Sequence, residues 1–110
     1  MTTFVTIGYG DRDGYDRTDP AVRDAAHASD DRLAAGGTPM GMAGPPVQVR
    51  NHNGAGVTTT DGPYLTSALP VAGFALLEAD TLKEAIDLVA KSPCAVAYGV
   101  VEIWPLKTAP

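Results

Sequence analysis

The side chain best suited to acid–base chemistry in this sequence is His27. An imidazole changes its protonation state near neutral pH and can pass a proton in either direction, provided that a partner fixes its tautomer. On a helix, Asp24, Asp30 and Asp31 would lie within about one turn of His27, so a helical carboxylate is one candidate partner. The alternative is a solvated histidine on the polar side of an acidic helix.

Only Arg50 and Asp61 carry a charge in the long stretch between Leu33 and Leu77. Such an isolated carboxylate is a candidate catalytic group, and Asp61 is a second possible partner for His27. Asp before Gly-Pro also forms turns in which its side chain bonds backbone amides. Arg50 could anchor an anionic substrate or pair with Asp61, and a solvated position at a hairpin end is the alternative.

Aromatic and methionine side chains complete the candidate substrate-binding set. Tyr9 ends the first predicted strand, where its hydroxyl could point into a cleft beside His27. Tyr64 follows a predicted turn, and Met40 and Met42 could line an adaptable apolar pocket. Ordinary core or interface packing is the alternative for all four.

Composition argues against several classes of function. The net charge is −5, and the eight Lys and Arg residues are scattered, so no basic patch for nucleic acid is expected. No window approaches the roughly 20 apolar residues that span a bilayer, and the first residues do not resemble a secretory signal; we expect a cytoplasmic protein. One cysteine and two histidines allow no internal disulfide and predict no zinc site. We expect no cofactor.

Hydrophobic periodicity and turn residues predict one domain spanning residues 1–110. The helix predicted over residues 20–35 has Asp19 as N-cap, Pro20 in its first turn and Gly36 after its end. A second helix begins after Thr81, which with Glu84 fits a capping box, and is predicted to present Leu82, Ala85, Ile86, Val89 and Ala90 on one face. The other predicted elements are strands at 3–7, 38–42, 47–50, 55–60, 71–78 and 95–104, with a charged loop at 11–19.

This order predicts an α+β, ferredoxin-like β-α-β-β-α-β fold with an inserted β-hairpin. The apolar residues are mostly small, so we expect a thin core. Two helices would cover one face of the sheet and leave the other bare. A bare apolar face on so small a domain predicts a homodimer.

Three segments resemble the YCII-related family, in particular its DGPF-domain branch. Asp61–Tyr64 reads Asp-Gly-Pro-Tyr, where the branch has Asp-Gly-Pro-Phe. Ala72–Ala85 resembles the branch's glycine, aromatic, strand and acidic helix start, and Val101–Leu106 resembles its Val-Glu-Val-Arg-Pro ending. The resemblance implies a ferredoxin-like fold that assembles as a dimeric α/β barrel.

The resemblance also implies an acid–base site formed by a His–Asp pair. His27 corresponds to the family histidine, since it lies on the first predicted helix, upstream of the turn at Ala43–Pro45. The family aspartate precedes a proline at the end of the second helix, where this chain has Ser92 before Pro93. Because serine cannot hold an imidazolium by charge, the pair is incomplete here.

Three hypotheses remain open. The first is an acid–base lyase, isomerase or cyclase that acts on a neutral or aromatic molecule, with His27 as the proton carrier and Asp61 or a helical aspartate as its orienter. The second is a non-catalytic dimer that binds a ligand or a protein and has a regulatory role. In the third, the nearly uncharged middle of the chain is only a dimer interface.

Overall fold

A computed structural model describes residues 1–107. Its elements, in order, are β1 (Thr2–Tyr9), α1 (Arg12–Arg17), α2 (Pro20–Ala35), β2 (Met40–Met42), β3 (Val47–Arg50), β4 (Thr58–Asp61), β5 (Val71–Ala79), α3 (Leu82–Val89), α4 (Pro93–Val96) and β6 (Val100–Pro105). Four strands form an open antiparallel sheet in the order β2-β5-β1-β6, while β3 and β4 pair separately. With the helices between its strands, this is the arrangement of a ferredoxin-like α+β fold. The predicted fold class and hairpin insertion are confirmed.

Helices α2 and α3 begin where their capping residues predict. The Asp19 carboxylate accepts a hydrogen bond from the Ala21 amide at 2.9 Å, and the Thr81 hydroxyl accepts one from the Glu84 amide at 3.1 Å. Each bond satisfies an amide that has no partner inside its helix. Ala26 and Ser29 are the buried residues of α2. In α3 only part of the predicted face is covered: Ala85 is buried and Val89 packs on the core, whereas Leu82 and Ile86 are about half exposed.

Helix α1 replaces the charged loop predicted at residues 11–19. The Asp11 carboxylate accepts from the Gly14 amide at 2.9 Å, and the Thr18 hydroxyl donates to the Gly14 carbonyl at 2.8 Å. Gly14 is buried where α1 meets the chain after α4, and a Cβ there would collide with the carbonyl oxygen of Ala97. The loop prediction was wrong because local caps and this close approach outweigh the charge of the segment.

We expect Gly14→Ala to lower the free energy of unfolding by about 1–3 kcal/mol, because a backbone carbonyl must move to admit the new methyl group. The higher helix propensity of alanine opposes this loss by up to about 1 kcal/mol. Gly41→Ala is the matched control, since nothing lies within 4 Å of a Cβ at Gly41. Urea denaturation of both variants measures the difference, and equal stabilities would contradict the close approach.

The last predicted strand also begins later than expected. Residues 95–104 were predicted to be extended, but α4 occupies Pro93–Val96 and β6 starts only at Val100. Proline suits the first turn of a helix. Beyond the pairing of Val100 with Tyr9, β1 offers no further partner, since it ends at Tyr9. The apolar run over 95–101 resembles a buried strand, and periodicity alone cannot distinguish a short buried strand from a short buried helix.

The core is thin, as expected. Four of its buried apolar residues pack together, with half-buried Leu33, Leu88, Val89 and Ile103 against them; the four are Phe4, Leu77, Ala79 and Ala85. Helices α2 and α3 cover the sheet face that carries Phe4 and Leu77. Because side chains alternate along strands, the neighbouring residues point to the opposite face.

That opposite face has no helix over it, and we call it the bare face. Its apolar residues from three adjoining strands are Val5, Ile7, Phe74, Leu76, Val100 and Trp104. Trp104 is 57% exposed, Phe74 50% and Leu76 44%. The same face also carries Glu102, opposite Ile7. Apolar exposure gathered on one face of a sheet is typical of an interaction surface.

The hairpin of β3 and β4 projects from the sheet end where β2 stops and β5 starts. Its turn contains Asn53 and Gly54, both with positive φ (59° and 68°), and every residue from 51 to 61 is exposed. The radius of gyration is 16.0 Å, against about 13 Å for a compact chain of this length. The inserted hairpin is therefore an arm and adds little to the core.

Candidate functional site

A cavity of about 700 Å³ lies between the helix-covered face of the sheet and the helices α2, α3 and α4. Its floor is built from small residues, among them Gly8, Gly73 and Ala75. A larger residue at two of them would force a neighbour to shift: a Cβ at Gly73 would lie 2.6 Å from the Gly41 carbonyl oxygen, and one at Gly8 would lie 2.9 Å from Cys94 Sγ. The hollow exists because this end of the sheet carries almost no side-chain volume.

The walls of the cavity are mostly apolar. Leu33 of α2, Leu88 and Val89 of α3, and Val101 of β6 line it. Binding sites for small molecules typically combine such walls with a few polar groups that fix orientation. Here the polar and ionisable side chains in the lining are Thr6, Asp11, Arg12, Tyr15, His27, Asp30, Thr38, Ser92 and Cys94.

His27 lines this cavity from α2 and bonds a residue that sequence analysis did not single out. Its Nε2 lies 3.0 Å from the hydroxyl of Tyr15 on α1. The two rings are tilted by 55° with their centroids 5.8 Å apart. Tyr15 is held in turn by Arg23, whose guanidinium lies 4.7 Å from the ring centroid and donates to the Tyr15 carbonyl at 3.3 Å.

Among the three helical carboxylates proposed as partners of His27, only Asp30 lines the cavity. It is half-buried, and burial raises the pKa of its carboxyl, as does the charge of Asp31 to a smaller extent, while the charge of His27 opposes the rise. Within residues 1–107, His27 forms no ion pair with a carboxylate. Asp30 therefore acts on His27 through space, and the bonded partner is a phenol.

Cys94 and Ser92 form the wall contributed by the start of α4. Burial, followed by the nearby charge of Asp30, raises the pKa of the Cys94 thiol, which disfavours the reactive thiolate form. The Ser92 hydroxyl is buried and has no hydrogen-bond partner. Ser92 thus lines the His27 cavity, although it does not bond His27.

The other predicted site residues are divided between this cavity and distant positions. Met40 and Met42 line the cavity. Tyr9 does not: its hydroxyl donates to Glu102 at 2.5 Å on the bare face, and that bond, then burial and the Glu102 charge, raise the pKa of Tyr9. The expectation that the Tyr9 hydroxyl lies beside His27 is corrected by the alternation of β1.

Arg50, Tyr64 and Asp61 lie on the projecting arm or at its base. Arg50 donates to Gln48 Oε1 at 2.7 Å and lies 5.9 Å from the Tyr64 ring centroid, in a second hollow of about 440 Å³. Asp61 ends β4 as an exposed residue opposite Val47 and lines neither hollow. Within one chain, Asp61 therefore does not orient His27, and it forms no ion pair with Arg50.

Tyr15 was missed because its segment was predicted to be a loop. The sequence does contain a signal for a short helix in this segment. Asp11 lies three residues before Gly14 and can cap the helix at its start, and Thr18 follows the segment and can cap its end. A helix there, followed directly by α2, places Tyr15 against the first turns of its neighbour. The pairing with His27 itself depends on tertiary packing that no local pattern encodes.

Comparison with known proteins agrees with the sequence resemblance. The family model of the YCII-related domain matches residues 2–109, and a search among curated proteins found no match. Within residues 1–107, no helix is both long and apolar enough to cross a membrane, and no three His, Cys, Asp or Glu side chains are grouped as metal ligands would be. Since the family match spans nearly the whole sequence, the chain belongs to the YCII-related family.

Proposed function

We propose that the cavity binds a small neutral molecule, largely apolar or aromatic, and that His27 moves a proton on it in an elimination, isomerisation or cyclisation. The observation that supports this most directly is the Tyr15–His27 hydrogen bond in the wall of a large apolar hollow. The lining carries Asp11 and Asp30 against Arg12, so it offers no surplus of positive charge for an anionic substrate.

In the tautomer of His27 that carries its proton on Nε2, the two ring nitrogens have separate roles. When Nε2–H donates to the Tyr15 oxygen, the lone pair of Nδ1 is free to take a proton from a substrate carbon or oxygen. The imidazolium that results is stabilised by the phenolic oxygen and by the negative charge of Asp30. The same nitrogen then returns the proton to the product or to the leaving group.

A cavity-filling variant tests the binding part of the proposal. We expect Ala75→Trp to place its indole on the cavity floor and to abolish binding of 2-tetralone, a neutral aromatic ketone, because probe and side chain need the same volume. Ala34→Trp is the control, since Ala34 is exposed on α2 outside the lining. Binding is followed by amide chemical shifts in an NMR titration.

Wild-type protein and Ala34→Trp should show shifts of the amides of Gly8, Gly73 and Cys94, and Ala75→Trp should not. Undiminished binding to Ala75→Trp would place the probe elsewhere and contradict the proposal. A folded amide spectrum for each variant separates loss of binding from loss of structure.

A second candidate function is a non-catalytic dimer that binds a ligand and acts as a regulator. Two observations favour it over an enzyme: no carboxylate bonds His27 within the described residues, and Ser92 stands where the family resemblance implies an aspartate. The substitution His27→Gln distinguishes the two functions. Ligand binding should survive it in either case, but an enzyme would lose its proton-transfer activity, whereas a regulatory binding protein would have no such activity to lose.

We also propose that the domain acts as a homodimer joined through the bare face. Phe74, Leu76 and Trp104 of one copy would bury their exposed surface against the same residues of a second, in the self-complementary way of a two-fold interface. The thin core of the single chain supports this, because association adds the apolar burial that the domain lacks. Most of the cavity lining, His27 included, belongs to other elements or to the opposite side of the sheet, and Phe74 is shared between the cavity and the bare face.

A further inference from the structure

We propose that the Tyr15 hydroxyl donates a hydrogen bond to a carbonyl oxygen of the ligand, so that Tyr15 is itself a catalytic residue and the cavity selects ketones over equally shaped hydrocarbons. This inference rests on the proposed function, because it assumes that the cavity is a ligand site where His27 moves a proton. It narrows the neutral ligand to a carbonyl compound and gives Tyr15 a role beyond the orientation of His27.

The hydrogen bond between Tyr15 and His27 is accessible from the cavity. Both residues line the hollow, and the bond of 3.0 Å between the hydroxyl and Nε2 is exposed. Tyr15 as a whole is half-buried, and His27 is exposed. A ligand in the cavity therefore has access to the phenolic oxygen.

The Tyr15 hydroxyl keeps a free donor in one tautomer of His27. A phenolic oxygen accepts hydrogen bonds, and its single proton makes one. When Nε2 of His27 carries the ring proton, the Tyr15 oxygen accepts from it, and within residues 1–107 the phenolic proton then has no other acceptor. A carbonyl oxygen, which only accepts, is the ligand group that fits such a donor.

Arg23 places a positive charge beside this donor. Its guanidinium lies 4.7 Å from the centroid of the Tyr15 ring and donates to the Tyr15 carbonyl at 3.3 Å, so that it also holds the ring. Within residues 1–107, Arg23 forms no ion pair with a carboxylate. A donor held next to a positive charge is suited to stabilise negative charge that develops on a ligand oxygen.

Tyr15 and His27 would divide one proton transfer between them. Nδ1 of His27 takes a proton from the carbon next to the carbonyl, and the electron pair of that C–H bond moves toward the carbonyl. An enolate forms, with its negative charge on the oxygen that Tyr15 holds. Return of the proton to the same carbon restores the ketone, and return to the γ-carbon of an unsaturated ketone moves its double bond.

Two matched probes test the inference: 2-tetralone and 2-methylenetetralin, in which a methylene group replaces the carbonyl oxygen. On wild-type protein we expect 2-tetralone to bind about 5- to 10-fold more tightly, which is typical of one hydrogen bond made in an apolar site. In Tyr15→Phe the two dissociation constants should become equal, because the ring remains and only the donor is lost. NMR titration gives the constants.

Tyr98→Phe is the matched control for the loss of a tyrosine hydroxyl. Tyr98 also has an arginine over its ring, since the Arg17 guanidinium lies 4.2 Å from the centroid, but it lies outside the cavity lining. This variant should keep the wild-type preference for the ketone. His27→Gln should keep it as well, because Tyr15 is still present to donate.

The carbonyl carbon of bound 2-tetralone provides a second readout that needs no variant. With ¹³C at this position, its resonance on wild-type protein should lie downfield of its position in a hydrocarbon solvent, because the carbonyl oxygen accepts a hydrogen bond. A bound ketone whose carbonyl resonance is unshifted would contradict the inference even if Tyr15→Phe failed to fold.

The outcomes also distinguish this inference from the proposed function. If Tyr15→Phe keeps the preference for the ketone, Tyr15 only orients His27 and the inference is wrong, while the cavity remains a ligand site. If the preference disappears in His27→Gln and not in Tyr15→Phe, the imidazole is the donor and the inference is again wrong. If neither probe shifts the amides of Gly8, Gly73 and Cys94 in wild-type protein, the proposed binding function fails, and the role of Tyr15 fails with it.

Discussion

His27→Gln is expected to slow proton transfer on a bound ketone by about 10²- to 10⁴-fold, the usual contribution of one general acid–base group. Glutamine keeps a polar side chain of similar reach but cannot take up a proton at neutral pH. The measurement is the exchange of the α-hydrogens of 2-tetralone for deuterium in D₂O, followed by NMR. Exchange needs only one proton taken and one deuteron returned, so it reports acid–base chemistry without knowledge of the natural substrate.

The chain contains its own control for this experiment, because it has two histidines. His52→Gln changes the other one, an exposed residue in the turn of the arm, and should exchange 2-tetralone at the wild-type rate. Tyr15→Phe removes only the hydroxyl that bonds Nε2 of His27. It should give an intermediate exchange rate, because the tautomer and ring orientation of His27 are then no longer fixed, although the imidazole can still act as a base.

Binding must be measured beside exchange for the result to decide between functions. If His27→Gln binds 2-tetralone normally and exchange falls, His27 is catalytic. If wild-type protein binds the ketone and adds nothing to the solvent rate of exchange, the acid–base function is contradicted for this ligand class, and the non-catalytic binding protein is favoured.

The elements predicted well from sequence are those determined by local chemistry. The bounds of α2 follow from Asp19 with Pro20 at one end and Gly36 at the other. The hairpin follows from Asn53-Gly54, a pair that favours tight turns, although its second strand was predicted at 55–60 and begins only at Thr58. Helices α1 and α4 were missed although local signals were present, since Asp11 and Thr18 cap α1 and Pro93 suits the first turn of α4. The contact that no local pattern predicts is the close approach of Gly14 in α1 to the Ala97 carbonyl, just after α4.

The candidate site was predicted in part for the same reason. His27 could be found by residue type, and Met40 and Met42 by the uncharged segment around them. Asp61 was predicted as a partner of His27 because it is the one carboxylate in a long uncharged segment. Isolation along the chain does not imply proximity in space, and Asp61 lies at the end of β4, outside the lining of the His27 cavity. The hydroxyl of Tyr15 reaches His27 through helix packing, which no spacing rule along the chain predicts.

Charged substitutions on the bare face are expected to convert the proposed homodimer into a monomer. Wild-type protein should sediment at about twice the chain mass of 11.4 kDa, and the double variant Phe74→Glu with Leu76→Glu should sediment as a monomer. A stable dimer buries roughly 800 Å² on each partner, and both residues lie within the proposed contact. A two-fold axis would bring four carboxylates into that apolar contact, where uncompensated charges cost several kcal/mol.

The control for the double variant is Ile86→Glu on the outer side of α3. Ile86 is 49% exposed, close to the values of 50% for Phe74 and 44% for Leu76, so the substitution adds a charge to an equally exposed apolar residue but outside the sheet. This variant should remain a dimer. A wild-type monomer at micromolar concentration, or a double variant that stays dimeric, would contradict the proposed interface.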